Sequence, residues 1–323
     1  MADPVVVRPR AGVHSIDHFA LNVPSIRDAE RFFRAFGLDV TLAGNEAQEL
    51  EIRAADRHRW ARVLPASKKS LAYLSFNCFE EDLTAIRAQV QAAGGAIESN
   101  SGVDRSGFWF HDPDGNLIQV KVGRKTSPSS KTPCVLTGSA ADERGSHTRS
   151  AAKTVHPRRL SHVLLFTPDV LGALDFYNKA LGLRLSDKSL DLIAFTHAPH
   201  GSDHHLVAFA KSSARGWHHA AWDVDNVNQV GEGASQMAAA GFDKGWGTGR
   251  HVLGSNYFHY VQDPWGSFCE YSADIDFVSP GKPWPAGDFP PEDSLYLWGP
   301  AVPENFIHNT EAPADPAGVT PEG

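Results

Sequence analysis

The sequence predicts an α+β protein built as two copies of one unit. Three observations carry that prediction. Two separate stretches recur in the same order at nearly the same spacing. Each half runs through strand-like and helix-like patterns in the same sequence of elements. A stretch rich in Ser, Thr, Lys and Arg divides the halves.

The first recurrence aligns HFALNVPSIRDAERFFRAFGLDV (18–40) with HVLLFTPDVLGALDFYNKALGLRL (162–185). His18, Pro24 and Phe32–Phe33 meet His162, Pro168 and Phe176–Tyr177, each 144 residues later, and Gly37 meets Gly182 after 145. The second aligns DPDGNLIQV (112–120) with DPWGSFCEY (263–271). Here Asp112, Gly115 and Gln119 face Asp263, Gly266 and Glu270 at a spacing of 151. Two ordered matches of this kind define a duplication, with halves at 12–124 and 157–277.

The second half reads in order as follows. His162-Val163-Leu164-Leu165-Phe166 alternates between faces as an opening strand. Pro168-Asp169 starts a helix, where Asp can accept from free N–H groups. Leu174, Tyr177 and Leu181 recur on one helical face. Gly182 ends the helix, at the position where a left-handed residue is usual. Strands are expected near 184–188, 191–196, 205–210 and 217–224, then a helix over 226–240. Three closing strands fall near 247–252, 256–262 and 267–272, with the DPWG turn between the last two. The glycine-rich GWGTG (245–249) reads as a turn leading to His251. Mostly antiparallel sheets follow from this order.

Residues 125–156 lack periodicity and read as a linker or surface excursion. Residues 278–323 are Pro-rich. Their stretch SLYLWGPAVPENFIHNT carries too many large apolar groups for a free tail. It is expected to pack on the body, with about the last dozen residues loose.

Composition removes several function classes. The 323 residues carry 30 Lys and Arg against 38 Asp and Glu, a net charge of −8. That balance disfavours a nucleic-acid partner, which needs clustered positive charge. Apolar runs such as HVLLF are too short to cross a bilayer. The N-terminus lacks the long apolar region of a secretory signal. Three cysteines form no closed disulfide set, which favours the cytoplasm. No G-x-G-x-x-G after a strand, P-loop, C-x-x-C or G-x-S-x-G is present, so no nucleotide cofactor is expected. Sixteen histidines, ten of them beyond residue 160, mark the second half as the place to look for chemistry.

GRHVLGSNYFHYVQDPWGSFCEY (249–271) resembles the signature of the type I extradiol ring-cleavage dioxygenases of the vicinal oxygen chelate superfamily. Gly249, His251, Tyr260, Asp263, Pro264, Gly266 and Glu270 fall in register with it. His259 departs from it, standing where an aliphatic or aromatic residue is usual. The resemblance covers about 12–277. It implies duplicated βαβββ modules closing into two open-barrel domains. It also implies Fe(II), with Mn(II) as the alternative, held by His162, His219 and Glu270. Two imidazoles and one carboxylate leave open positions for substrate and O2, and the same set suits Zn(II) by ligand softness alone. His205 resembles the family's acid–base histidine, and His251 and Tyr260 its other active-site groups. A histidine titrating near neutrality can take and return a proton.

Strand parity turns His219 inward and leaves His218 outside or at an interface. His204 and His205 likewise fall on opposite faces. In the first half the aligned positions are His18, Tyr73 and Gln119, a copy that keeps the fold and has lost the metal. His197, His200 and His259 carry no assigned role. The implied reaction is cleavage of a catechol-type ring beside its hydroxyls with both atoms of O2. The implied assembly is a homo-oligomer, a tetramer foremost. A glyoxalase-like or 4-hydroxyphenylpyruvate-dioxygenase-like enzyme, or a non-catalytic aromatic-binding protein, are the rival readings.

Overall fold

The computed structural model describes residues 11–44, 48–98, 105–136 and 138–313. The first half runs β1 (Ser15–Val23), α1 (Ile26–Ala35), β2 (Asp39–Ala43), β3 (Glu49–Arg53), β4 (Arg59–Pro65), β5 (Ser70–Cys78), α2 (Glu80–Ala92), β6 (Ala96–Glu98), β7 (Phe108–His111) and β8 (Leu117–Val122). The second runs β9 (Arg159–Thr167), α3 (Val170–Leu181), β10 (Arg184–Ser189), β11 (Ile193–His197), β12 (Ser202–Asp203), β13 (Val207–Lys211), β14 (Gly216–Asp223), α4 (Val227–Ala239), β15 (Gly245–Arg250), β16 (Tyr257–Gln262) and β17 (Phe268–Ala273). Two short strands follow, β18 (Phe277–Val278) and β19 (Gly287–Asp288).

Local signals act as expected at several ends. The Asp169 carboxylate accepts from the Gly172 N–H and starts α3. Gly182 closes it with φ of 74°, a left-handed position where a Cβ would cost energy. The Asp263 carboxylate accepts from the N–H groups of Trp265 and Ser267 and so shapes the β16–β17 turn. GWGTG is different from its sequence reading. It forms β15, paired with β16, and its register shifts between Gly247 and Gly249. A Cβ at Gly245 would lie 1.9 Å from the Tyr260 carbonyl oxygen, so glycine there lets two backbones approach.

The first sheet has the order β2-β3-β4-β1-β5-β8-β7-β6, and the second β15-β16-β17-β14-β9-β13-β11-β10-β19. Each sheet holds two units in which a helix after the first strand carries the chain outward and the later strands step back, so that the last pairs with the first. Hence β1–β4, β5–β8, β9–β13 and β14–β17 pair in parallel, amid otherwise largely antiparallel neighbours. This is the duplicated βαβββ arrangement that the resemblance implies.

The halves share one apolar core. Phe19 packs on Trp217 at 4.6 Å between ring centroids, and Phe36 stacks on Tyr271 at 3.9 Å. Tyr271 and Tyr177 also donate across the boundary, to the Phe36 carbonyl and the Asp112 carboxylate. The described residues of 125–156 run mostly over the surface and are pinned at both ends, by Thr126 to Ser15 and by Val155 to Gln236. Beyond β17 the chain folds back on the second sheet. Arg250 N–H donates to the Trp298 carbonyl, and Phe306 is buried among Trp246, Tyr260 and Phe268. Most of the end expected to be loose lies outside the described residues. No described helix is long and apolar enough to cross a membrane.

Candidate metal centre

Three adjacent strands, β9, β14 and β17, bring His162, His219 and Glu270 to one concave face. Ala221 sets the geometry. It pairs with His162 on one side and with Glu270 on the other. His219 lies two residues before it and so shares its face. One ligand atom from each of the three residues lies within 4.8 Å of the others. Glu270 Oε2 is 3.4 Å from His162 Nε2 and 3.5 Å from His219 Nε2. All three side chains are buried, Glu270 completely.

The donor set fits a divalent cation. Glu270 Oε2 and His219 Nε2 are buried and have no hydrogen-bond partner. Left alone, such atoms cost free energy; a bound cation would satisfy both. Glu270 Oε1 is already oriented by the Asn256 amide at 2.9 Å. His162 is oriented through its other nitrogen. Arg159 donates to Asp203, and Asp203 accepts from the Ser161 hydroxyl. Ser161 Oγ is therefore free to accept from His162 Nδ1, at 3.2 Å. The proton sits on Nδ1, and Nε2 keeps its lone pair toward the cluster.

The other expected residues gather around this point. The His205 ring lies 4.0 Å from His162. Its Nδ1 is 3.0 Å from His204 Nδ1, and His204 Nε2 is 2.7 Å from the Asp187 carboxylate. With Nε2 of His204 donating to Asp187, His204 Nδ1 accepts from His205, whose own Nε2 is left bare. Burial, with the His162 and His204 imidazoles, holds His205 well below the usual histidine value. His251 Nδ1 donates to the Leu295 carbonyl at 2.6 Å, so its Nε2 accepts from the Tyr260 hydroxyl at 2.9 Å. Burial first, and then the Glu270 carboxylate, push the Tyr260 phenol well up.

His218 corrects a sequence expectation. It is buried, not outside, and lines the same pocket as His219. The cause is a bulge: Trp217 pairs with Leu165 and His219 with Leu164, so His218 is an extra residue and simple alternation fails there. His218 Nδ1 lies 2.6 Å from His219 Nδ1, and its Nε2 lies 2.7 Å from the Phe306 carbonyl. The residues without an assigned role divide as follows. His197 meets Ser186, His200 meets Asp82 of the first half, and His259 is held by burial at about 4.

The first half holds the equivalent positions in the same register. Ser75 pairs with both His18 and Gln119, as Ala221 pairs with both His162 and Glu270. Here hydrogen bonds fill the space. His18 Nε2 meets the Tyr73 hydroxyl at 2.9 Å, and Ser75 donates to Gln119 Oε1 at 2.7 Å.

Apolar groups wall the rest of the pocket: Leu164, Ile193, Phe195, Leu253, Phe306 and Ile307. Among the described residues, neither Lys nor Arg lines it. Sequence reasoning missed Asn256, Ser161, Asp203 and Asp187, and also the carbonyls of Leu295 and Phe306.

Comparison with known proteins places the chain in a family and a fold. The family model described as Glyoxalase/Bleomycin resistance protein/Dioxygenase superfamily matches residues 159–271. Metapyrocatechase 2 of Cupriavidus necator is 65% identical over 306 residues, 94% of this chain and 95% of that protein. Two solved structures share the fold at a TM-score of 0.73. The Mn(II)-bound glyoxalase from Novosphingobium aromaticivorans is 24% identical, with 94% of this chain and 96% of that one covered. Homoprotocatechuate 2,3-dioxygenase from Arthrobacter globiformis is 18% identical, with 95% and 94% covered.

Proposed function

Since this chain belongs to the metapyrocatechase family of extradiol dioxygenases, within the vicinal oxygen chelate superfamily, we propose that it opens an uncharged catechol ring beside its two hydroxyls, using Fe(II) held by His162, His219 and Glu270. The observation that carries the reading is the pairing of two orphaned buried ligand atoms with an apolar pocket directly above them. Bound Fe(II) would supply Lewis acidity toward the catechol oxygens and one-electron chemistry toward O2. Mn(II) offers the same open positions and is the alternative.

The chain's own groups do the rest. Leu164, Ile193, Phe195 and Leu253 hold the ring and exclude water. A carboxylated catechol would bury its charge against these walls without a cation, which costs several kcal/mol. His205, neutral and with Nε2 bare, takes a proton from one substrate hydroxyl. It returns that proton when the O–O bond breaks. Tyr260 spends its hydroxyl proton on His251 Nε2, so its oxygen can accept from the second substrate hydroxyl. Because Tyr73 and Gln119 are engaged by their neighbours, a ligand set drawn from both halves, as in a glyoxalase-like isomerase, is not supported.

The proposal includes a homo-oligomer, a tetramer foremost, and a cytoplasmic location, which the free cysteines Cys78, Cys134 and Cys269 support. Sedimentation as a monomer would contradict the first. The activity is tested by loading the protein anaerobically with Fe(II) and following oxygen uptake and a yellow ring-fission product with a catechol panel. Uptake is expected with catechol and alkylcatechols, at a kcat/KM at least about 100-fold above that for a carboxylated catechol, the equivalent of roughly 3 kcal/mol. No uptake with any catechol, by protein shown to hold iron, sinks the reading.

A further inference from the structure

We propose that His218 and the backbone carbonyl of Phe306 form a relay that holds His219 in the tautomer a metal needs, which makes the C-terminal segment a working part of the metal centre. The inference rests on the reading of His219 as a metal ligand.

The proton positions follow from the partners. A carbonyl oxygen only accepts, so the 2.7 Å contact with Phe306 puts a proton on His218 Nε2. A neutral His218 then has a bare Nδ1. That atom lies 2.6 Å from His219 Nδ1, so His219 must donate there and carries its proton on Nδ1. His219 Nε2 is thereby left as a lone pair, buried, unpartnered and 3.5 Å from Glu270 Oε2. The opposite tautomer would set two lone pairs against each other at 2.6 Å and aim an N–H at the cluster.

The bulge at His218 is what makes this possible. It turns two successive imidazoles to the same side, where regular alternation would separate them. The two histidine ligands are thus supported from different sources. His162 is oriented by Ser161, Asp203 and Arg159, which lie within the second half. His219 is oriented from 88 residues beyond His218, by a segment that joins no strand at that point. The same segment supplies Phe306 and Ile307 to the pocket wall. Lifting it would open the pocket and loosen the metal together. His218 is a positioning residue: it acts through His219 and touches no reacting atom in this account.

Two measurements test it on the full-length protein. In the Zn(II)-loaded protein, 15N-labelled imidazole NMR should find the proton on Nδ1 of His219 and on Nε2 of His218; the reverse pattern at either ring overturns the relay. Chelator competition for Fe(II) under argon is then run on the wild type, His218→Phe, His218→Asn and His219→Ala. Phe keeps the ring packing with Phe166, Phe268 and Phe306 but can neither donate nor accept. Its Kd for Fe(II) is expected to rise about 10- to 100-fold, the usual cost of losing an outer partner of a ligand. Asn, which can donate and accept, is expected to recover part of that loss. An unchanged Kd in His218→Phe means that His218 does no more than pack, and no better retention in His218→Asn than in His218→Phe means that its hydrogen bonds are not what holds His219. Either result overturns the proposal while His219→Ala still loses iron. Retention of iron by His219→Ala overturns the ligand reading beneath it.

Discussion

Lys69 of the first half buries its ammonium 2.7 Å from the Glu311 carboxylate of the C-terminal segment, with only 4% and 11% of the two side chains exposed. Lys69 also donates to the Trp217 carbonyl and the Ser267 hydroxyl, and Glu311 accepts from the Trp217 N–H. Trp217 leads directly into His218 and His219. One buried ion pair therefore ties the first half, the start of the ligand strand and the C-terminal segment together.

Lys69→Met should leave Glu311 buried without its cation. The expected cost is about 3–5 kcal/mol of unfolding free energy, because breaking a buried pair strands a charge. Urea denaturation measures it. The double variant Lys69→Met/Glu311→Leu should recover most of the loss. Limited proteolysis should show new cleavage between residues 303 and 313 in the single variant. A loss under about 1 kcal/mol would mean that the pair does not hold the segment.

Glu270→Gln should sharply weaken metal retention and leave the fold intact. Without metal, the wild type carries a buried carboxylate with one oxygen unpartnered. The metal-free variant should accordingly be as stable as the metal-free wild type, or more stable by about 1–3 kcal/mol. Added Fe(II) should raise the Tm of the wild type by mass action and leave that of the variant unchanged. Differential scanning calorimetry with and without metal reads both effects. Equal metal-induced shifts would contradict the role given to Glu270.

The distribution of these groups explains what was readable from the amino-acid order. Duplication aligned His162 with His18 and Glu270 with Gln119, and strand periodicity placed His219 inward. The pairing of Ala221 with both His162 and Glu270, mirrored by Ser75, follows from that pattern. His218 was misread because a bulge adds one residue and breaks the two-residue period locally. The contribution of Leu295 and Phe306 was invisible for a deeper reason. They act through backbone carbonyls, which every residue type has, from a segment without periodicity. The shared core was equally hidden, because duplication reports similarity between halves and carries no information on how they face each other.

His205→Phe should keep iron and lose turnover. The aromatic ring preserves packing against His162 and Phe195, whose centroids lie 4.0 and 4.8 Å away. Removing the proton acceptor should lower kcat by about 10²–10⁴-fold. Steady-state oxygen uptake, normalised to iron content, gives the value. Iron loss in this variant would make His205 a ligand.

Acid should destabilise the protein over a defined window. Burial holds His14, His197 and His259 down at about 4 from an ordinary value of 6.5. Their folded values lie below their unfolded ones, so the unfolded chain binds more protons as pH falls below 6.5. Stability is complete above about pH 6.5 and is lost progressively toward pH 4. Each group contributes up to about 1.4 kcal/mol per pH unit in that interval. Urea unfolding of metal-free protein at steps from pH 7.5 to 4.5 measures the slope. A flat profile would mean that these imidazoles are not held neutral.

The proposed site has His162, His219 and Glu270 together holding one catalytic metal ion at the floor of an apolar pocket. Anomalous diffraction at the iron edge, on crystals loaded anaerobically with Fe(II), tests it most directly. A single strong peak is expected within roughly 2.0–2.3 Å of His162 Nε2, His219 Nε2 and a Glu270 carboxylate oxygen, distances usual for nitrogen and oxygen ligands of such ions. A peak bound elsewhere, or one whose ligands include His205 or His251 in place of any of the three, would contradict it.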